Sequence, residues 1–175
     1  LNDMQVFRFN FRHEKNQKIL YLHGGYNTLQ PSPFHWRLLD KLTLNTLHEV
    51  VLPIYPKSPD YHYLETFKAI RDVYNQLVEE VGANNIVMMG DGSGGGLALS
   101  FVQSLINDNQ EVPRKLFLLS PLLDATLTNP NITQTLEEND ILVSRFGVHQ
   151  LMKSWANDLP LSDAVSYTHL TLPTS

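Results

Sequence analysis

The sequence has no cysteine among its 175 residues, so disulfides, thiolate-held metal sites and cysteine nucleophiles are excluded for this chain. It also has no run of about 18 or more apolar residues, the length that a membrane-spanning helix requires. Its first residues, LNDMQVFRFNF, lack the basic start and the following apolar stretch that are typical of a secretion signal. These absences predict a cytoplasmic protein with no membrane partner.

Positive charge is scarce as well. Lysine and arginine together number 13 against 18 acidic residues, which leaves a formal net charge of -5, and the basic residues form no cluster. Proteins that bind nucleic acids usually present a basic surface to the phosphate backbone. We therefore expect a small-molecule substrate and no nucleic acid. The sequence does not indicate an oligomeric state.

Motifs for metals and cofactors are missing too. The histidines show no HExxH or comparable metal-binding spacing. Gly90, Gly92 and Gly95 match the G-x-G-x-x-G dinucleotide pattern formally, but no acidic residue ends the next predicted strand. The Lys-Ser/Thr pair of a phosphate-binding loop is also absent. We predict neither a metal nor a cofactor.

The chain contains 42% hydrophobic and 18% charged residues, the balance of an ordinary globular domain. Short apolar runs, typical of strands, alternate with segments in which apolar residues recur every three or four positions, as in helices. The predicted strands are 6–11, 18–22, 48–55, 86–89 and 115–119, and the predicted helices are 33–47, 64–81, 94–107 and 145–156. This alternation predicts an α/β fold with a mainly parallel sheet flanked by helices. The side chains predicted to face the core from helix 94–107 are Leu97, Phe101, Leu105 and Ile106.

Two glycine-rich turns follow predicted strands, at the edge of the sheet where α/β proteins bind ligands. The first is His23-Gly24-Gly25, and the second is the run GDGSGGG at 90–96. Four stretches around these turns resemble α/β-hydrolase fold esterases of the bacterial branch related to hormone-sensitive lipase: YLHGGYNTLQPSPFHW, VLPIYPKSPDYHYLETF, IVMMGDGSGGGLALS and LFLLSPLLDATLTNP. The resemblance implies an α/β-hydrolase fold and a carboxylic ester hydrolase that acts on small acyl esters by serine acyl transfer.

The resemblance also implies roles for the two turns. Gly24, Gly25 and Tyr26 match the oxyanion hole, where the backbone N–H groups of Gly25 and Tyr26 would stabilise the charged intermediate. His23 would order this loop and would not act as a base. Residues 90–96 match the nucleophile elbow, a sharp strand-to-helix turn that exposes one hydroxyl. The remaining implied site residues are Gly90, Asp91, Gly94 and Gly95 in the elbow, and Phe34, His35 and Trp36 as candidates for the acyl pocket or the core.

One position departs from the family pattern. When the family's GDSAGG is laid over residues 90–95 without a gap, Gly92 occupies the nucleophile position and Ser93 lies one residue late. Two interpretations stay open. Either the elbow is shifted by one residue and Ser93 is the nucleophile, or the protein is a catalytically inactive α/β-hydrolase-like binding protein.

The other two members of a catalytic triad are not found within this chain. In the family the acid and then the histidine follow the nucleophile, late in the sequence. His149 lies on a predicted helix and Asp124 matches a position with a structural role. We therefore expect residues 1–164 to form a partial α/β-hydrolase domain whose acid and base lie beyond this fragment. Residues 165–175, VSYTHLTLPTS, resemble the translation of a sequencing adapter and are interpreted as a non-native tail.

Overall fold

The computed structural model describes residues 4–10, 17–46, 48–128 and 144–157. Strands and helices alternate along these residues. The strands are β1 (Val6–Phe9), β2 (Lys18–Leu22), β3 (Glu49–Pro53), β4 (Ile86–Asp91) and β5 (Lys115–Leu119). The α-helices are α1 (Pro33–Thr46), α2 (Tyr63–Val81), α3 (Gly92–Asn107) and α4 (Arg145–Trp155), and a short 3-10 turn covers Ala83–Asn85.

The five strands form one sheet in the order β1-β3-β2-β4-β5. β1 runs antiparallel to β3, and the other neighbouring strands are parallel. The predicted α/β class with a mainly parallel sheet is thereby confirmed. β2 and β4 pair from Lys18 and Ile86 to Leu22 and Gly90. Both strands therefore end at the same level, and this register brings the two glycine-rich turns side by side.

Helices cover both faces of the sheet. Alternate residues of a strand point to opposite faces, and Leu20 and Leu22 of β2 belong to a core cluster with residues of α2, α3 and α4. Ile19 and Tyr21 belong to a second cluster that includes Leu39 of α1. β2 is thus buried on both faces, which explains why its sequence, KILYL, is nearly continuously apolar instead of alternating.

Charged side chains form ion pairs at the end of the sheet where β2 and β3 begin. The Lys18 Nζ lies 3.1 Å from the Glu49 carboxylate, and both side chains are buried. Arg8 of β1 pairs with Glu49 and Glu80, and Lys18 also contacts Glu80 of α2. Buried charges are tolerated when they are paired in this way. We therefore assign this end a structural role, in contrast to the opposite end, which carries the glycine-rich turns.

The start of α3 and the orientation of Ile106 differ from the sequence-based prediction. α3 begins at Gly92, two residues before the predicted start, because β4 passes into the helix without an intervening loop. Ser93 consequently lies inside the helix. Ile106 was predicted to face the core but is 57% exposed. Leu97, Phe101 and Leu105 are buried as predicted, and Ile106 lies about 100° further around the helix than Leu105.

Within the ranges that the structure describes, no helix is both long enough and apolar enough to span a bilayer. The predicted tail at 165–175 lies outside the described residues, so its interpretation stays a prediction.

Trp155 anchors α4 to the rest of the fold. Its side chain is fully buried, and its indole N–H donates a hydrogen bond to the Thr66 Oγ1 of α2 at 3.1 Å. In the full-length protein we expect Trp155→Ala to lower the free energy of unfolding by about 3–5 kcal/mol, because it leaves a large cavity. Phe146→Ala is the control on the same helix, since Phe146 is 74% exposed. It should cost less than about 0.5 kcal/mol in the same denaturation experiment. Equal losses would contradict the anchoring role.

Candidate active site

The second glycine-rich turn forms a sharp bend between β4 and α3. Gly92 is the first residue of the helix and has a φ of 51°, in the left-handed region that favours glycine. A Cβ on Gly92 would lie 3.9 Å from its nearest neighbour, the Gly24 Cα. The Gly92 carbonyl accepts a hydrogen bond from the Leu122 N–H at 2.8 Å. Gly92 therefore lies at the apex of the bend and faces the other glycine-rich turn across a gap with room for a Cβ.

Glycines on either side of the apex allow close backbone approach. A Cβ on Gly94 would collide with the Leu22 and His23 carbonyls, and a Cβ on Gly95 would lie 3.0 Å from the Pro121 Cβ. A Cβ on Gly90 would collide with the Gly94 carbonyl. The first turn of α3 thus packs directly on the end of β2. A side chain at Gly90 or Gly94 would clash with the neighbouring atoms, and one at Gly95 would crowd them.

Ser93 lies one residue past the apex, in the first turn of α3. It is 2% exposed, and its hydroxyl has no hydrogen-bond partner among the described residues. The positive φ that marks the bend belongs to Gly92 and not to Ser93. In this arrangement Gly92, and not Ser93, lies at the apex of the bend. The assignment of Gly92 to the nucleophile position stays a prediction. The role of Ser93 as a nucleophile stays a prediction.

Asp91, the last residue of β4, connects the two turns. Its Oδ1 accepts hydrogen bonds from the Tyr21 hydroxyl at 2.8 Å and from the Gly24 N–H at 2.9 Å, and its Oδ2 lies 3.1 Å from the His35 Nε2. Burial opposes ionisation, but the hydrogen bonds from His35, Tyr21 and Gly24 outweigh it and hold the pKa of Asp91 below its usual value. Burial and the same carboxylate raise the pKa of Tyr21.

The first glycine-rich turn bends sharply where the oxyanion donors are expected. Gly25 has a φ of 127°, and Tyr26 and Asn27 follow with positive φ values of 56° and 54°. The Gly25 carbonyl accepts hydrogen bonds from the backbone N–H groups of Thr28 and Leu29, at 3.0 and 2.8 Å. The turn is therefore a compact, hydrogen-bonded loop. The assignment of the Gly25 and Tyr26 N–H groups as oxyanion donors stays a prediction.

The buried His23 side chain hydrogen-bonds to the backbone of this loop. Its Nδ1 donates to the Gly24 carbonyl at 2.7 Å, and its ring stacks on Tyr55 with 4.8 Å between the ring centroids. The Tyr55 hydroxyl donates to the His23 carbonyl at 2.6 Å. Burial lowers the pKa of His23 to about 4, so the ring is neutral near pH 7. Nearby, burial also lowers the pKa of Lys57 to about 8, and its Nζ donates to the Tyr55 carbonyl at 2.8 Å.

Known proteins with similar sequences have the same fold class as this chain. Residues 19–171 match the profile of a family described as having the alpha/beta hydrolase fold. The chain belongs to the α/β-hydrolase fold family. A relative from Acinetobacter venetianus, named as an esterase, is 32% identical over 143 residues, which are 81% of this chain and 47% of that protein. A triacylglycerol lipase from Mycobacterium tuberculosis is 27% identical over 161 residues, 91% of this chain and 32% of the lipase.

Solved structures also share the fold of this chain. A crystal structure of a Staphylococcus aureus protein proposed to be an esterase has a TM-score of 0.91 and 63% identity, and the match covers 99% of this chain and 60% of that one. An esterase of the bacterial hormone-sensitive lipase family has a TM-score of 0.80 at 22% identity, with 94% and 60% covered. The resemblance to α/β-hydrolase fold proteins noted in the sequence is thereby confirmed. The chain spans about half the length of the Acinetobacter relative.

The three residues considered for an acyl pocket have different surroundings in the structure. Phe34 is 76% exposed, whereas Trp36 packs edge-on against Phe7 with 4.9 Å between ring centroids. His35 alone reaches the site, through Asp91. Sequence reasoning missed Tyr21 and Tyr55 as site residues, because both lie in apolar strand segments where an aromatic residue indicates core packing. Their hydroxyl groups were the only available signal, since buried tyrosine hydroxyls need partners.

Asp124 and His149, neither of which is expected to act in catalysis, lie in the segment after β5 and on α4. Asp124 accepts hydrogen bonds from the backbone N–H groups of Thr126 and Thr128 at 2.9 and 3.2 Å, so it caps its own loop. Burial opposes ionisation, but the hydrogen bonds from the Thr126 hydroxyl and from these backbone N–H groups outweigh it and lower the pKa of Asp124. His149 lies on α4. In the part of the chain that the structure describes, no group of three or more His, Cys, Asp or Glu side chains could hold a metal ion.

The lowered pKa of His23 predicts a pH-dependent stability. A folded-state pKa of about 4 against the usual 6.5 means that the unfolded chain binds the proton more tightly. The stabilisation is therefore complete above pH 6.5 and is lost as the pH falls toward 4, by roughly 3 kcal/mol at most. In the full-length protein, His23→Asn keeps an N–H donor for the Gly24 carbonyl but removes this titration. We expect urea denaturation between pH 4 and 7 to show a flatter profile for the variant than for the wild type. Parallel profiles would refute the assignment.

Proposed function

We propose that the full-length protein hydrolyses carboxylic esters of small acyl groups at the cleft between the two glycine-rich turns. The observation that carries this proposal is the attachment of the oxyanion turn to the elbow, through the 2.9 Å hydrogen bond from the Gly24 N–H to Asp91. An elbow and an oxyanion turn held together at the carboxyl ends of parallel strands are the parts that serine acyl transfer requires. The relatives named as esterase and triacylglycerol lipase support the same reaction class.

In the proposed reaction, Ser93 is the candidate nucleophile. Its Oγ attacks the ester carbonyl carbon, its proton passes to a base outside the described residues, and the alcohol leaves with that proton. Water then cleaves the acyl-enzyme and releases the carboxylic acid. The backbone N–H groups of Gly25 and Tyr26 are the proposed donors to the oxyanion in both steps. This route requires the first turn of α3 to shift by one residue, so that the Ser93 hydroxyl leaves its buried position and takes the place of Gly92.

A second candidate function is supported by the apex residue itself. Because Gly92 carries the positive φ and has no side chain, the elbow as described offers no hydroxyl to the gap that it shares with Gly24. A protein with this elbow could bind an ester or a carboxylate at the same turns without forming a covalent bond to it. The two candidates differ in one measurable property, which is whether a serine reacts.

A fluorophosphonate probe tests the proposed hydrolase. We expect the full-length wild-type protein to be labelled and to hydrolyse p-nitrophenyl acetate, and Ser93→Ala to lose labelling and at least about 1000-fold in kcat/KM. Ser100→Ala is the matched control, because Ser100 is a second buried serine of α3 with no hydrogen-bond partner for its hydroxyl among the described residues. This control should retain both properties. A folded wild-type protein that neither binds the probe nor hydrolyses the ester would overturn the proposal.

Gly92→Ser tests the second candidate. The gap beside Gly92 accepts a Cβ, and the positive φ costs a non-glycine residue about 1–2 kcal/mol. If the wild-type protein only binds its ligand, this variant places a hydroxyl at the apex and should become labelled by the probe, while the wild type stays unlabelled. Labelling of the wild type at Ser93, shown by mass spectrometry of the modified peptide, would eliminate this candidate.

A further inference from the structure

His35 connects the start of α1 to the elbow through hydrogen bonds at both ring nitrogens. The Ser32 backbone N–H donates to its Nδ1 at 2.9 Å, and its Nε2 lies 3.1 Å from the Asp91 Oδ2. The Ser32 Oγ also lies 2.8 Å from Nδ1. A backbone N–H can only donate, so Nδ1 is the accepting nitrogen, and the Ser32 hydroxyl, which can donate as well, fits the same assignment. In the neutral ring the hydrogen must then be on Nε2, and it is donated to Asp91. The Ser32 backbone thus selects the tautomer that His35 presents to the carboxylate.

The Asp91 carboxylate divides its two oxygens between different elements. Oδ2 faces His35, whereas Oδ1 accepts from the Tyr21 hydroxyl and the Gly24 N–H. The terminal torsion of an aspartate is broad, so a carboxylate bound at one oxygen alone can rotate. With His35 on Oδ2, the plane of the carboxylate is fixed and Oδ1 is directed at Gly24.

The backbone at Gly24 lies so close to Asp91 that no side chain fits between them. A Cβ on Gly24 would lie 2.5 Å from the Asp91 Oδ2 and 2.8 Å from the Asp91 carbonyl oxygen. The turn and the elbow therefore approach as closely as their backbones allow. Gly25 and Tyr26, the proposed oxyanion donors, follow Gly24 directly in the chain, so the position of Gly24 sets theirs.

We propose that His35 is a positioning residue, which holds Asp91 so that the Gly24 N–H fixes the oxyanion turn against the elbow; this role rests on the proposed function. A role as a general base does not fit the same contacts. The Nδ1 lone pair is occupied by the Ser32 N–H and hydroxyl groups, and the Nε2 hydrogen is occupied by Asp91. His35 thus has no accepting nitrogen left for a substrate proton, and it acts through Asp91.

Two substitutions separate the donor of His35 from its acceptor. The amide of His35→Gln places an N–H near the original Nε2 and can still donate to Asp91. The shorter amide of His35→Asn can accept from the Ser32 N–H but does not reach Asp91. We expect His35→Asn to lower kcat for p-nitrophenyl acetate about 10-fold to 100-fold with little change in KM. We expect His35→Gln to recover most of the loss. His48→Asn is the control, since His48 lies at the opposite end of the sheet, directly before β3.

A second readout does not depend on hydrolysis. The Gly24 amide is hydrogen-bonded to Asp91, so its hydrogen exchange in the full-length protein reports on this contact. Exchange at Gly24 should be about 10-fold faster in His35→Asn than in His35→Gln or the wild type, with exchange in α2 unchanged. If the wild type hydrolyses no ester, the proposed function fails and the exchange rates alone decide the positioning role. Equal exchange at Gly24 in the two His35 variants, or equal kcat values in an active enzyme, would overturn the inference.

Discussion

Strands β2 and β4 pair in parallel from Lys18 and Ile86 to Leu22 and Gly90, and the site depends on this register. Parallel strands that end at the same level deliver their following turns to one place. A slip of one residue along β4 would turn its side chains to the opposite face of the sheet and separate Asp91 from Gly24. The buried ion pairs at the other end, between Lys18 and Glu49 among others, and the apolar cores on both faces hold the strands in this register.

Close backbone contact then defines what the site can hold. The first turn of α3 packs on the Leu22 and His23 carbonyls because Gly94 has no side chain, and the oxyanion turn packs on Asp91 because Gly24 has none. The gap between Gly24 and Gly92 is the space that these contacts leave. A nucleophile at the apex would project into this gap. The chain has glycine at this apex and a buried serine one residue later.

The polar groups around the gap, His23 and Asp91, make different structural contacts. His23 is neutral, buried and stacked on Tyr55, and it supports the oxyanion turn through the Gly24 carbonyl. Asp91 is held in its ionised form by three donors and joins β2, α1 and the oxyanion turn. Both oxygens of Asp91 are thus occupied by contacts within the fold, whereas the buried His23 Nε2 has no hydrogen-bond partner among the described residues. Their positions agree with a supporting role for each, whatever group carries out the chemistry.

Local patterns in the sequence were sufficient for the α/β class, for the order of strands and helices, and for the two glycine-rich turns, because hydrophobic periodicity and glycine runs are properties of neighbouring residues. The same patterns misplaced the start of α3 and the orientation of Ile106. Those depend on how the helix packs against β2 and β5, which no local window contains. The connection of His35 and Tyr21 to Asp91 joins residues that are 56 and 70 positions apart. Only the folded sheet brings them together, and the same packing buries Ser93 and leaves Gly92 at the apex.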